Sequence, residues 1–272
     1  MPEAHGRACA GSAPLPRRVG RLPSALAALL AGIGASLAGA ETREAAPLRV
    51  LAAASLTEVV EALAGRFEGA RVEASFGASS ALARQIRDGA PADVFLSASP
   101  EWIGFLREAG ELSGEPIVLA RNRLVCIAPQ RSPLAAGAVR DPRTLLAAIG
   151  PEGGVAIADE GVPAGEYARR ALRNLGVFDA FEPHLVGQRD VRAVLHAVER
   201  GELPAGFAYA SDARIAAVEV LFAFDPATHP PIEYQAAVLR NARRPVEARR
   251  FLQHLRGEAA RAILAGAGFA LF

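Results

Sequence analysis

The spacing of apolar residues changes twice between Arg71 and Ser99, and each change predicts a new element. Arg71–Ser75 has the composition of a strand, whereas Ala81–Arg87 places its apolar residues on one side at helical spacing. A second short apolar run, Ala92–Leu96, follows the turn residues that end the helix. The order strand, helix, strand predicts a βαβ unit, in which a helical crossover joins two parallel strands.

The turn Gly77–Ser80 lies where the first strand of this unit meets the helix. Backbone N–H groups without helical partners and the positive end of the helix dipole meet at such a turn, and both favour a bound anion. The competing interpretation is that Ser79 or Ser80 only caps the helix.

A third interpretation of the same turn is enzymatic. Gly77–Ala81 approximates the G-x-S-x-G nucleophile elbow of serine hydrolases, with Ser79 as the nucleophile and Ala81 in place of the last glycine. A serine nucleophile also needs a general base, and the candidates are His184, His196, His229 and His254. None of them lies in a recognisable sequence motif for that role.

Other helix starts along the chain also carry small or capping residues. Ser55 follows the apolar strand Leu48–Ala54, and Glu58 three positions later fits a capping box. The further helix starts of this kind are Ala164-Gly165 and Asp190-Val191, with Asp190 as N-cap. Tyr209 closes a fifth predicted strand, Ala205–Tyr209.

Strands and helices alternate throughout, which predicts the α/β class with mostly parallel sheets. Ligands of such folds bind beyond the carboxyl ends of the strands, where these helix starts lie. Backbone N–H groups and hydroxyls donate hydrogen bonds without carrying charge, so several of them in one cleft would bind a fully deprotonated oxyanion. Each hydrogen bond to a charged group contributes about 1.5–3 kcal/mol.

The first 40 residues have the layout of a secretory signal peptide. Arginines precede the apolar run Ser24–Leu37, whose 14 residues are fewer than the roughly 20 needed to span a bilayer. Ala38-Gly39-Ala40 offers a cleavage site, so residues 1–40 are predicted to be removed near Ala40. The alternative is an uncleaved anchor helix.

Charge and cysteine content narrow the classes of partner. Residues 1–40 hold four of the 30 basic and one of the 29 acidic residues, so the rest has 26 basic and 28 acidic residues and a net charge of −2. This balance argues against nucleic acid or a membrane surface as partner. Cys9 lies in the predicted signal peptide, so Cys126 is the single cysteine of the remaining chain. No intramolecular disulfide is therefore expected, and a buried thiol is predicted at Cys126. No zinc-type spacing and no cofactor motif is present in the sequence.

Six short stretches occur together in a specific order, and the set is far more informative than any one member. They are Ala52–Leu56, Phe76–Ile86, Gly89–Phe95, Val162–Tyr167, Asp190–Arg192 and Tyr209–Ala213. With these stretches the chain resembles the periplasmic molybdate-binding proteins of ABC importers, over essentially everything after residue 46.

The resemblance implies a two-domain periplasmic binding protein, with a mostly parallel sheet flanked by helices in each domain and the ligand in the interdomain cleft. It implies molybdate or tungstate as transported ligand, a membrane permease as partner, a monomer, and no enzymatic activity or resident cofactor. The implied contacts to the molybdate oxygens are hydroxyl and backbone N–H groups of Ser55 and Ser79, backbone N–H groups of Ala164 and Val191, and the phenolic O–H of Tyr209.

The resemblance also implies two crossings between domains. Domain I is then 47–122 plus 232–272, and domain II is 123–231. Ser55 and Ser79 belong to the first domain and the other three implied contacts to the second. Arg84 and Arg192 lie inside the matching stretches and are expected to face solvent or to hold the domains in place.

Two points stay open at the level of sequence. The segment Gly206-Phe207-Ala208 departs from the β-branched residues expected before Tyr209. The carboxylate of Asp190 lies close to the site in sequence, and an acceptor there would alter the choice of anion. A binder of another tetrahedral oxyanion, such as sulfate, is therefore the alternative.

Overall fold

The computed structural model describes residues 46–135 and 137–271, so the predicted signal peptide lies outside the described residues. The described part contains ten strands: β1 Leu48–Ala53, β2 Val72–Gly77, β3 Val94–Ser97, β4 Ile117–Asn122, β5 Leu124–Pro129, β6 Val155–Ala158, β7 Leu185–Gln188, β8 Ala205–Tyr209, β9 Val218–Ala223 and β10 Ile232–Val238. Its α-helices are α1 Thr57–Ala64, α2 Ser79–Arg87, α3 Pro100–Glu108, α4 Pro142–Ile149, α5 Pro163–Asn174, α6 Phe178–Phe181, α7 Val191–Glu199, α8 Pro245–His254 and α9 Glu258–Gly266. None of these helices has the length and apolarity needed to cross a membrane.

The strands form two five-stranded sheets, and the α/β, two-domain class is confirmed. The first sheet has the order β2-β1-β3-β10-β4, and the second has the order β7-β6-β8-β5-β9. The chain leaves the first sheet after Asn122 and re-enters it at Ile232. The exact domain bounds, 47–122 plus 232–272 and 123–231, stay a prediction.

Both sheets are mixed, so the expectation of mostly parallel sheets is wrong. In the first sheet β1 pairs in parallel with β2 and β3, whereas β10 runs antiparallel to β3 and β4. The second sheet likewise has two parallel and two antiparallel pairings. The reason is topological, because the strands that carry the chain between the sheets, β4, β5, β9 and β10, make only antiparallel pairs.

The central strands are covered on both faces. Every residue of β6 and β8 is buried, and such strands are near-continuous apolar runs because helices lie on both sides of the sheet. The β1 side chains of Leu48, Val50 and Ala52 are fully buried in the core of the first sheet. Cys126 in β5 is completely buried, and burial raises the pKa of its thiol, which confirms the predicted buried cysteine.

The departure at Gly206-Phe207 has a packing reason. A Cβ at position 206 would lie 2.8 Å from Val198 Cγ2 and 3.0 Å from Val194 Cγ1, so the glycine allows α7 to pack directly on β8. Phe207 fills the space next to it, with ring centroids 5.8 Å from Phe181 and 5.4 Å from Phe224. A β-branched residue at 206 would push α7, and with it the helix start at Val191, away from the sheet.

We predict that Gly206→Ala lowers the free energy of unfolding by about 1–3 kcal/mol, because the added methyl overpacks the contact between α7 and β8. Thermal unfolding measures the effect, at about 2–4 °C per kcal/mol for a chain of this size. The matched control is Gly104→Ala in α3, where no atom lies within 4 Å of the new Cβ. Equal melting temperatures for the two variants would contradict the packing argument.

Candidate functional site

One small cavity collects the residues that the sequence singles out. Its volume is about 230 Å³, including the part open to solvent. All five predicted site residues line this cavity: Ser55, Ser79, Ala164, Val191 and Tyr209. The first two follow strands of the first sheet, and the other three follow or end strands of the second sheet. The lining residues are Ala53, Ala54, Ser55, Gly77, Ala78, Ser79, Ala98, Val162, Pro163, Ala164, Asp190, Val191 and Tyr209.

Ser55 lies in a 3₁₀ turn, Ala54–Leu56, between β1 and α1. The predicted capping box is wrong, because the N-cap of α1 is Leu56 and no side chain caps it. The Ser55 hydroxyl instead lies 2.8 Å from Tyr234 Oη, and the Glu58 carboxylate binds Arg192. Ser55 is therefore buried at the cavity without a helix-capping role.

Ser79 is the first residue of α2, and its capping interpretation is also wrong. The N-cap is Ala78, which offers no side-chain bond, so the N–H groups of the first turn have no partner within the helix. Ser79 Oγ accepts a hydrogen bond of 3.1 Å from the Ala98 backbone N–H. Among the described residues no group accepts the hydroxyl proton, which therefore remains available as a donor.

Ala164 is the second residue of α5, directly after Pro163. Proline has no N–H, and the N-cap Val162 makes no side-chain bond, so the first free N–H groups of the helix are those of Ala164 and Gly165. A Cβ on Gly165 would overlap the Ala158 carbonyl oxygen at the end of β6. The glycine thus lets the helix start approach the strand end closely.

Val191 begins α7, and here the predicted N-cap is confirmed. The Asp190 carboxylate accepts a 2.9 Å hydrogen bond from the Ala193 N–H. The N–H groups of Val191 and Arg192 keep no intrahelical partner. One Asp190 oxygen is thereby committed to the cap, and the other lies 3.6 Å from Arg189 Nε.

Tyr209 ends β8, and only 1% of its surface is exposed. Its hydroxyl is buried with no hydrogen-bond partner, although a buried polar group normally has one. Burial holds the pKa of Tyr209 well above its ordinary value of 10.0, so the group is a neutral O–H donor at neutral pH. A donor of this kind beside a cavity is suited to bind an acceptor group of a ligand there.

A charged cluster, Glu58–Arg192–Asp212, joins the two domains beside the cavity. Arg192 on α7 donates to both Glu58 oxygens, at 3.0 and 2.6 Å, and to the Ala54 carbonyl at 3.2 Å. Its Nε also lies 3.3 Å from Asp212 Oδ1. Arg192 therefore holds the domains together as expected, whereas Arg84 lies over the Trp102 ring, 4.9 Å from its centroid.

Asp212 is completely buried behind Tyr209, whose backbone N–H it accepts at 3.1 Å. Burial raises the pKa of this carboxyl from 3.8 to about 7, and the positive charge of Arg192 opposes that shift only in part. At neutral pH the cluster contributes little net negative charge to the neighbouring cavity.

Three residues that support the site were not predicted: Asn122, Asp212 and Tyr234. Asp212 lies inside the matching stretch Tyr209–Ala213, so its sequence signal was present. Tyr234 and Asn122 reach the site from β10 and β4, far away in sequence. In the described residues no group of three or more His, Cys, Asp and Glu side chains is arranged to hold a metal ion.

The cavity offers donors from both domains and no lysine or arginine head group among its lining residues. Two serine hydroxyls, one phenol and the free N–H groups of three helix starts converge on it. Fold and site together define a two-domain solute-binding protein whose cavity suits a small, acceptor-rich anion.

Comparisons with known proteins agree with that class. The family model described as bacterial extracellular solute-binding protein matches residues 48–270. The molybdate-binding protein ModA of Escherichia coli is 36% identical over 248 residues, 89% of this chain and 95% of the relative. ModA of Haemophilus influenzae is 34% identical over 250 residues, with the same two coverages. The solved Azotobacter vinelandii periplasmic molybdate-binding protein has a TM-score of 0.73 at 25% identity, over 83% of this chain and 99% of that one.

The chain belongs to the bacterial extracellular solute-binding proteins, and the resemblance to their molybdate-binding members is confirmed.

We predict that Asp212 makes the protein less stable as pH rises. Between about pH 4 and pH 7 the folded protein keeps a proton that the unfolded chain releases, so rising pH favours unfolding. Relative to Asp212→Asn, the free energy of unfolding of the wild type should fall by about 1–4 kcal/mol over this pH range. It should not fall further once the pH is well above 7. Denaturant unfolding of both proteins at pH 4, 5, 6, 7 and 8 measures the difference. A wild type that gains stability relative to the variant as pH rises would show an ordinary ionised Asp212.

Proposed function

We propose that this protein is a periplasmic substrate-binding protein that captures molybdate and passes it to the membrane permease of an ABC importer. The observation that carries the proposal is the buried, unpartnered hydroxyl of Tyr209 beside three helix starts in one cavity. The relatives named for molybdate binding, at 34–36% identity over nearly their whole length, support the same ligand.

The ligand contacts proposed for molybdate are Ser55, Ser79, Ala164, Val191 and Tyr209, acting on its oxygens. Each hydrogen bond to the dianion contributes about 1.5–3 kcal/mol, and each helix start adds about 0.3–1 kcal/mol, or up to about 2 when partly buried. Several such bonds offset the cost of removing the dianion from water, so no positively charged side chain is needed in the cavity.

Selectivity follows from the donor-only character of these contacts. Phosphate is partly protonated at neutral pH, and its proton would face another donor in the cavity, which is costly. Asp190 does not remove this barrier, because its carboxylate is engaged with the Ala193 N–H and lies near Arg189. Tungstate has the same charge as molybdate and nearly its size, and it is proposed as a second ligand. Sulfate carries the same charge but is smaller, so its exclusion depends on cavity size, and a sulfate binder is the alternative.

The proposed contacts divide between the domains, so the ligand bridges them and binding favours the closed arrangement. Ser55 and Ser79 follow strands of the first sheet, whereas Ala164, Val191 and Tyr209 follow or end strands of the second. The Glu58–Arg192–Asp212 cluster adds contacts across the same cleft. Closure of this kind gives a permease two states to distinguish.

A catalytic role for Ser79 is not proposed. Its oxygen accepts from the Ala98 N–H. Three imidazoles hydrogen-bond backbone carbonyls and His196 lies 3.5 Å from Glu199, and no described histidine hydrogen-bonds Ser79 as a general base would. A binding role without chemistry agrees with the family.

The place of action is proposed from the sequence and the relatives. The predicted signal peptide of residues 1–40 directs export, with cleavage near Ala40, and the solved Azotobacter relative is described as periplasmic. The mature protein is proposed to act as a monomer, with the oxyanion and the permease as its partners and no resident cofactor.

We predict that Tyr209→Phe weakens molybdate binding about 10- to 150-fold, because it removes one charge-assisted hydrogen bond and almost no volume. Isothermal titration calorimetry measures the affinity. Folding should change far less, since the hydroxyl has no partner inside the protein and the ring still packs against Tyr234.

Tyr167→Phe is the matched control for this variant. Tyr167 is also a buried tyrosine, but its hydroxyl contacts the Pro231 carbonyl, at 3.4 Å, and does not line the proposed molybdate cavity. It should leave the affinity unchanged. If Tyr209→Phe keeps full affinity while its melting temperature falls, Tyr209 is a core residue and the proposed site is misplaced.

A further inference from the structure

Tyr234 lies behind the proposed molybdate cavity without lining it. Its ring is completely buried in β10, between Tyr209 at 6.1 Å and Phe269 at 5.0 Å between ring centroids. Its hydroxyl is 2.8 Å from Ser55 Oγ, across 179 positions of sequence. Either oxygen of this pair is able to donate, so the direction of the bond depends on what else each group contacts.

The direction is set by Asn122, at the end of β4. Asn122 Oδ1 accepts from the Arg123 backbone N–H at 2.9 Å, which assigns the orientation of the amide. Nδ2 then faces Ser211 Oγ at 2.8 Å and Tyr234 Oη at a longer 3.5 Å. An amide nitrogen only donates, so Asn122 offers no acceptor to the Tyr234 proton, and Ser55 Oγ is the acceptor in hydrogen-bond contact with Tyr234 among the described residues.

We propose that Tyr234 is a positioning residue that turns the Ser55 hydroxyl into an obligatory donor toward the bound oxyanion. The ordered chain is Asn122 to Tyr234 to Ser55, with each group donating to the next and the last proton pointing into the cavity. This inference rests on the proposed function, because it assigns how one of the proposed contacts is oriented.

Two further observations agree with that polarity. Burial raises the pKa of Tyr234, so its phenol keeps the proton that it donates. The second serine, Ser79, also accepts a hydrogen bond from a protein donor, which here is the Ala98 backbone N–H. In both cases a protein donor occupies the serine oxygen and leaves the serine proton for the ligand. This order of hydrogen bonds predicts that a ligand that itself needs an acceptor finds none at either serine.

The test is a double-mutant cycle of Tyr234→Phe and Ser55→Ala, with molybdate as the probe in isothermal titration calorimetry. Ser55→Ala should weaken binding about 10- to 150-fold, as expected for one hydrogen bond to an anion. Tyr234→Phe alone should weaken binding about tenfold. In the double variant the Tyr234 change should add no more than about a twofold loss to that of Ser55→Ala, because it acts only through Ser55.

Tyr167→Phe is the control for loss of a buried phenolic hydroxyl, and it should leave the affinity unchanged. Asn122→Ala serves as a second variant should Tyr234→Phe not fold, and its effect should likewise vanish in the Ser55→Ala background. Full affinity in Tyr234→Phe, or losses that multiply in the double variant, would overturn the positioning role while leaving the proposed function in place. A wild type that binds no molybdate would overturn both.

Discussion

A doubly charged anion leaves water for a protein only if hydrogen-bond donors replace its hydration, and this requirement organises the whole molecule. The proposed contacts meet it with neutral groups: hydroxyls, and backbone N–H groups that the first turn of each helix cannot use internally. Neutral donors favour an anion that is pure acceptor, so selectivity and affinity have the same physical source. The remaining structure serves to bring these donors to one point.

The mixed topology is what makes that convergence possible. Parallel β1–β2 and β6–β7 pairs place strand ends, and therefore helix starts, at the same edge of each sheet. The antiparallel strands carry the chain across at Asn122–Leu124 and back at Ile232, so that the two edges face one cavity. Close packing at Gly165 and Gly206 then brings α5 and α7 near the second sheet. The first residues of both helices thereby lie at the cavity.

The sequence predicted the features that depend on local order. The pattern of helix starts after strands singled out Ser55, Ser79, Ala164 and Val191, which line one cavity, and the capping pattern at Asp190 was correct. Capping at Ser55 and Ser79 was wrong, because tertiary partners at Tyr234 and Ala98 compete for the same oxygens. Asn122 and Tyr234 had no local signal, since their contacts join residues more than 80 positions apart. The ionisation of Asp212 depends on burial, which no short stretch of sequence encodes.

Neutral donors in one cavity are proposed to recognise a fully deprotonated tetrahedral dianion. Calorimetric titration of the mature protein with molybdate and, separately, with phosphate at neutral pH distinguishes this mode of recognition from one that includes an acceptor. We expect saturable molybdate binding at one site, and phosphate binding that is weaker by about 5- to 150-fold, the cost of one proton facing a donor. Phosphate that binds as tightly as molybdate would show that the cavity also holds an acceptor, and donor-only recognition would then be wrong.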